Sequence, residues 1–240
     1  MSEYNYKGIK PESIELLCLN HFNDSKEFYE EHKLELKDGI TVPMRQMVLD
    51  LSSLMYEIDD KMMTDPVRCV SRIYRDTRGR RSKIKYRENM WLMLRRHKTE
   101  YPSAPFFYFE FFPESFGYGL AFYTYKQSAF KEVHKLILEH PGRWKDALDS
   151  CKDAGFTYLC RENYKKDMYP DAPEDLKPYL SAKNMQFSYN TFDMSKLNSS
   201  SLIDEMKLAF DLARPMYSFW ADAYDKMMQE GIIKPEDLIR

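Results

Sequence analysis

Six arginines and two lysines crowd into residues 72–87, R-I-Y-R-D-T-R-G-R-R-S-K-I-K-Y-R, with Asp76 as the one carboxylate among them. The chain as a whole holds 36 Lys and Arg against 38 Asp and Glu, so the other 224 of its 240 residues keep 28 basic and 37 acidic groups. A basic segment is therefore set in an acidic body. Guanidinium forks match the oxygens of phosphate or carboxylate two at a time, which an ammonium group does not. Arg72, Arg75, Arg78 and Lys83 are the candidate ligand-holding side chains, with Asp76 orienting a neighbouring arginine and Tyr86 closing the site. Tyr74 and Tyr86, interleaved with the cations, add rings on which a base can stack.

The plain alternative is that these cations are solvated, or paired with the acids of the body. With a pI near 6.2 the chain lacks the broad basicity of a nucleic-acid binder, which favours a compact phosphate-bearing anion over a long polymer. RNA or an acidic protein docking on the same segment is the second reading. A hydrolase or transferase using Asp76 or Glu110 as its base is the third, resting only on a carboxylate near arginines.

Other chemistry is sparsely signalled. His21, His32, His97, His134 and His140 form no H-E-x-x-H, and Cys18, Cys69, Cys151 and Cys160 form no C-x-x-C, so neither a metal, a cofactor nor a disulfide is expected. There is no G-x-S-x-G, Walker loop or G-x-G-x-x-G. The opening M-S-E-Y-N-Y-K-G lacks the basic-then-apolar order of a signal peptide, and no run approaches the roughly 18 apolar residues of a membrane span, so a cytoplasmic protein without a membrane partner is expected.

The elements that must hold the segment follow from periodicity. Apolar positions in residues 10–38 recur at helical spacing, with a joint at about Asn23, where Asp24 or Ser25 suits an N-cap. A third helix is predicted over 43–61, with Gly39 supplying a break before it. Residues 67–75, V-R-C-V-S-R-I-Y-R, read as a first strand leading into the basic turn. Three aromatic-rich runs follow, E-N-M-W-L-M-L-R-R, F-F-Y-F-E-F-F and G-Y-G-L-A-F-Y-T-Y, with connections short enough for an antiparallel meander. The run 106–112 is expected to be core on both faces, and Gly117 and Gly119 to mark a close backbone approach or a bulge. Helices are predicted over 126–140 and just after Pro141-Gly142, weaker strands at F-T-Y-L-C-R and M-Q-F-S-Y-N-T-F, a turn of helix over 174–180, and a C-terminal helix over 200–230 broken before Pro215.

The expected architecture is α+β: an antiparallel sheet of about four to six strands packed by N-terminal and C-terminal helices. It forms one domain over 1–240, helical to residue 64, sheet with the basic segment over 65–125, and helices with additional strands over 126–240.

The order R-I-x-R-D-x-R from Arg72, followed by Lys83 and Tyr86, resembles the signature of the mostly bacterial family catalogued as domain of unknown function 2461. F-Y-E-E-H-K, ending at Lys33, stands where that family has W-F-x-x-H-K, with Pro43 a short step later. Gly117 and Gly119 fall at its glycine cluster, and Pro170, Leu180 and Lys183 at its P-x-x-x-L-x-x-K-like region. The likeness spans almost the whole chain and implies an α+β fold; it brings no activity, cofactor or catalytic residue to carry over. Where the family reads R-F-S-x-D-K-x-P-Y-K, this chain has Gly79 for the aromatic, Arg80 for the serine, Ser82 for the aspartate, Lys85 for the proline and Arg87 for the lysine, which makes it the more basic.

Overall fold

Alternation in burial along two neighbouring strands, and continuous burial along a third, sets the architecture. A computed structural model describes residues 4–77, 83–124, 126 and 129–237. In it β2 (Met90–Arg96), β3 (Phe106–Phe111) and β4 (Phe116–Tyr123) form the centre of a six-stranded sheet. β1 (Met62–Met63), β5 (Thr157–Leu159) and β6 (Asn184–Thr191) complete the order β1-β2-β3-β4-β6-β5, every pair antiparallel. Leu92, Leu94, Phe107, Phe109, Phe111, Leu120 and Phe122 are fully buried on the inner face. There Phe107 meets Phe210 of α8 (Ser201–Leu212) and Tyr217 of α9 (Arg214–Gln229), while Phe122 and Phe187 meet Trp220. The outer face carries the odd positions of β2 and the even positions of β3, half-buried rather than sealed. Core on both faces, expected for 106–112, is thus corrected: only the inner residues are core, because no described helix covers the outer side of Phe106, Tyr108 and Glu110.

Gly117 and Gly119 allow β4 and β6 to approach closely. A Cβ on Gly119 would sit 2.0 Å from the Phe187 carbonyl oxygen, and one on Gly117 2.7 Å from that of Tyr189.

The N-terminal helices are α1 (Pro11–Asn23), α2 (Lys26–Leu36) and α3 (Val42–Ile58). Ser25 caps α2 by accepting from the Phe28 amide, and Asp24 ends α1 in the left-handed region at φ 45°. No break occurs at Gly39. Residues Lys37–Thr41 form a π-turn, so the helical backbone runs unbroken from Lys26 to Ile58. The cause is Pro43, whose ring in an ordinary helix would strike the carbonyl four residues back and whose missing N–H leaves that carbonyl unpaired. Widening the turn relieves both, with the Val42 N–H bonding to the Lys37 oxygen five residues away. Gly39 serves another end. A Cβ there would lie 2.8 Å from Ser13 Cβ, so glycine lets α1 pack on the turn.

The strand expected over 67–75 is also corrected. Asp65 accepts from the Val67 amide and Pro66 begins a helical turn, α4 (Pro66–Cys69), a pairing that favours a helix start over an extended chain. Only beyond it does the chain lie along β2 and the stretch leading into it, with isolated bridges at Val70–Leu92 and Tyr74–Tyr86. Three further helices, α5 (Phe130–Glu139), α6 (Pro141–Asp153) and α7 (Lys177–Leu180), lie close to the predicted ones, and two short 3-10 turns occupy Met194–Asn198 and Pro235–Asp237. Among the described residues no helix is long and apolar enough to cross a membrane.

Candidate functional site

The basic segment leaves the sheet edge as a ladder: Ser71 N–H donates to the Trp91 oxygen (2.8 Å), Arg87 N–H to Ile73 (3.0 Å) and Arg75 N–H to Lys85 (2.6 Å). The corner between α1 and α2 clamps its returning arm. Asp24 accepts from the amides of Lys85 (2.7 Å) and Tyr86 (3.1 Å), and His21 Nδ1 donates to the Tyr86 oxygen (2.8 Å). Tyr86 is thereby driven inward, 2 % exposed, stacked on Tyr29 at 4.9 Å and edge-on to Tyr74 at 5.6 Å. Loss of water, reinforced by those phenols and by Glu30 and Asp24, pushes its hydroxyl pKa up.

Between this edge and the long helix lies a cavity of about 280 Å³ walled by Lys33, Lys37, Thr41, Arg45, Arg72 and Tyr74. The first four come from one helix at intervals of four. On an α-helix such a row drifts by about 40° per step. The π-turn sits in the middle of the row, and its wider turn swings it back, so all four side chains reach one pocket. Among the described residues no carboxylate lines the cavity. Lys33 pairs with Glu30 at 3.1 Å on the exposed helix surface, whereas no ion pair or side-chain hydrogen bond engages Lys37, Arg45 or Arg72 among the described residues. Arg45 Nε is buried with no described hydrogen-bond partner. Lys37 and Arg72 are exposed to water, so the cost of leaving a cation unpaired falls on the half-buried Arg45.

Of the residues singled out from sequence, Arg72 lines this cavity and also a neighbouring one of about 460 Å³, where Asp76, Thr77, Arg87 and Trp91 join it. Arg75 is half-buried, its Nε without a described partner, and lines neither. Lys83 is exposed and lines neither. Tyr86 is covered and meets the pocket only through Tyr29 and Tyr74. Arg78 lies outside the described residues. Sequence reading missed Lys37, Thr41 and Arg45; the signal was their four-residue spacing onward from Lys33, across a glycine and towards a proline.

The outer sheet face forms a third concavity, about 490 Å³, with Trp91, Phe106, Tyr108 and Tyr123 as walls. From β4 it takes Ala121, which stands opposite Phe106 and supplies a small side chain to the floor, and Tyr123. Tyr123 hydroxyl donates to Gln186 Oε1, and the Gln186 amide donates to the Tyr108 hydroxyl. Desolvation raises the Tyr108 hydroxyl to about 12. It also raises the Glu110 carboxyl, against the opposing pull of Asn89, which donates to it at 2.8 Å, and of Arg161 and Arg87. Arg87 lies over the Trp91 ring at 4.2 Å and donates from Nε to the Arg72 carbonyl at 3.0 Å. Among the described residues no three His, Cys, Asp or Glu gather as a metal would need.

An open antiparallel sheet flanked by N-terminal and C-terminal helices defines an α+β protein, with a cavity walled by lysine and arginine side chains at the sheet edge. The family model described as "Conserved hypothetical protein (DUF2461)" matches residues 13–219, and the chain belongs to that family. No curated protein and no solved structure matches the chain.

Proposed function

We propose that the protein binds a small phosphate-bearing ligand in the pocket formed by Lys37, Arg45 and Arg72, with Lys33 at its mouth. One observation carries this reading: three cations converge on a cavity with no described acid in its walls, and none of the three is engaged by a described carboxylate. Arg45 and Arg72 supply the fork geometry that phosphate oxygens accept, Lys37 a compact charge, and Thr41 a hydroxyl donor. A volume of about 280 Å³ suits a phosphate group better than a polymer backbone. From the basic segment this reading takes Arg72 as a direct ligand and keeps Asp76 beside it on the neighbouring cavity, with Tyr86 propping Tyr29 and Tyr74.

Thermal unfolding in inorganic phosphate, pyrophosphate and sulfate, each against chloride at equal ionic strength, tests it. A ligand at a hundredfold its Kd stabilises by about 2.7 kcal/mol. The wild type should show such an upward shift in Tm, and a Lys37→Ala, Arg45→Ala variant should lose it. Because those side chains hold no described partner, the variant's own Tm should stay level or rise. No shift in the wild type, or the same shift in both proteins, ends the proposal.

A further inference from the structure

Resting on that anion pocket, we propose that the outer sheet face is the other half of the same site, so that the ligand is a phosphate-bearing molecule with a planar aromatic ring, of the nucleotide kind. The phosphate lies among Lys37, Arg45 and Arg72, and the ring lies on Trp91, Tyr108 and Tyr123.

Continuity is the first argument. Ser71, Arg72 and Tyr74 line both the anion pocket and its neighbour, and Trp91 lines both that neighbour and the sheet-face cleft. The Ser71 amide bonds to the Trp91 carbonyl at 2.8 Å, and chains so paired run about 5 Å apart. The two ends are thus one strand spacing from each other at their nearest point. Arg87 ties them together, bonded to the Arg72 carbonyl and lying over the Trp91 ring.

Shape and polarity are the second. The cleft of about 490 Å³ falls within the roughly 300–1,000 Å³ of small-molecule sites, and its aromatic walls with a few fixed polar groups have their usual make-up. Ala121, opposite Phe106 and lining the cleft beside Tyr108 and Tyr123, leaves a slot flanked by rings, the form a flat molecule fills. Glu110 and Arg161 at its lining give the polar edge of a heteroaromatic ring both an acceptor and a donor. A saturated acyl chain would bury Glu110 further and offer it nothing.

Trp91 reports on occupancy, because it alone of the three tryptophans is not fully buried; Trp144 and Trp220 are 0 % exposed. The experiment is titration of the full chain with AMP, GMP, CMP and UMP, with ribose 5-phosphate and with adenosine, read by calorimetry and by emission excited at the red edge of tryptophan absorption. Base stacking predicts at least one nucleotide binding about tenfold or more tighter than ribose 5-phosphate. The same nucleotide quenches emission in the wild type but not in Trp91→Phe, and Ala121→Leu, which fills the floor, removes the preference while keeping the phosphate-induced Tm shift. Nucleotides that bind no tighter than ribose 5-phosphate, with the phosphate shift intact, overturn this inference and leave the anion pocket standing. Adenosine binding as tightly as AMP overturns the two-part ligand. Failure of phosphate and nucleotides alike removes both readings.

Discussion

Two titratable groups, one half-buried and one fully buried, give the molecule opposite responses to pH, and each can be isolated by one substitution. The Glu110 carboxyl is pushed up by loss of water, so the stability it contributes is whole below about 4.5 and is lost as pH rises through its native value. Glu110→Gln keeps an acceptor for Asn89 without the charge. Its Tm should equal that of the wild type at pH 4 and exceed it at pH 7. His134 works the other way. Its ring is 0 % exposed, Nε2 donates to the Ala182 carbonyl at 2.8 Å, and burial pushes its pKa down to about 4. The unfolded chain takes a proton near 6.5 and the folded one resists until about 4, so stability falls across that interval as pH is lowered. A His134→Gln variant, which keeps a donor towards Ala182, should flatten the acid limb of a plot of denaturation midpoint against pH.

At the scale of elements, the edge of the sheet and the long helix are joined by the corner at Asp24. Its carboxylate satisfies two amides of the basic segment's returning arm, and charge-assisted bonds of this kind are worth about 1.5–3 kcal/mol each. Asp24→Ala should speed amide hydrogen exchange at Lys85 and Tyr86 well before it affects β3 or β4. Gly39→Ala should destabilise by about 1–3 kcal/mol, the cost of forcing a methyl group against Ser13, as read by chemical denaturation. Much of the scaffold was legible without coordinates. Aromatic-rich runs set off by short connections announced the strands, helical spacing announced the helices, and Gly117 and Gly119 marked a close approach or a bulge, of which the tight β4–β6 approach is found. The outer cleft was not legible, since Phe and Tyr stand on both faces of β3 and only Glu110 breaks the apolar run, so a period of two is hidden. Nor was the π-turn, because glycine and proline near one another read as two breaks, whereas here one packs α1 and the other widens a continuous helix. Residues 67–69 looked extended by composition, and the Asp65-Pro66 start overrode that preference. Arg72 stood out by charge alone, whereas Lys37 and Arg45, which line the same cavity, are brought beside it only by the fold.

Across the whole molecule, one arginine ties sheet to helices. Arg96, 4 % exposed at the end of β2, donates from Nε to Asp59 just past α3 (2.6 Å) and from its terminal nitrogens to Asp225 of α9, while the Tyr217 hydroxyl donates to Asp59 at 2.6 Å. Burial alone would push the Asp59 carboxyl up, yet the bonds from Tyr217 and Arg96 outweigh it and hold the pKa below its usual range. Its contribution is therefore present above about 3.8 and is lost as pH falls through the lowered native value. Removing one partner of such a cluster strands the others in a dry setting, so Arg96→Met should cost about 3–5 kcal/mol in equilibrium unfolding. Mutating Asp59 and Asp225 together with Arg96 to apolar residues should recover a large part of that loss. An unfolding series in which the single variant is neutral would contradict this account.

The π-turn also sets what length changes the chain can bear. Deleting a single residue between Lys37 and Thr41 would remove about 100° of winding, which the return from the wide turn to ordinary pitch gives back, so the helix before the cut keeps its facing towards α3. The cost falls on Pro43 instead, whose ring would then strike the carbonyl four residues back. A one-codon deletion in this turn should for that reason destabilise the protein, and adding Pro43→Ala to the same deletion should recover much of the loss.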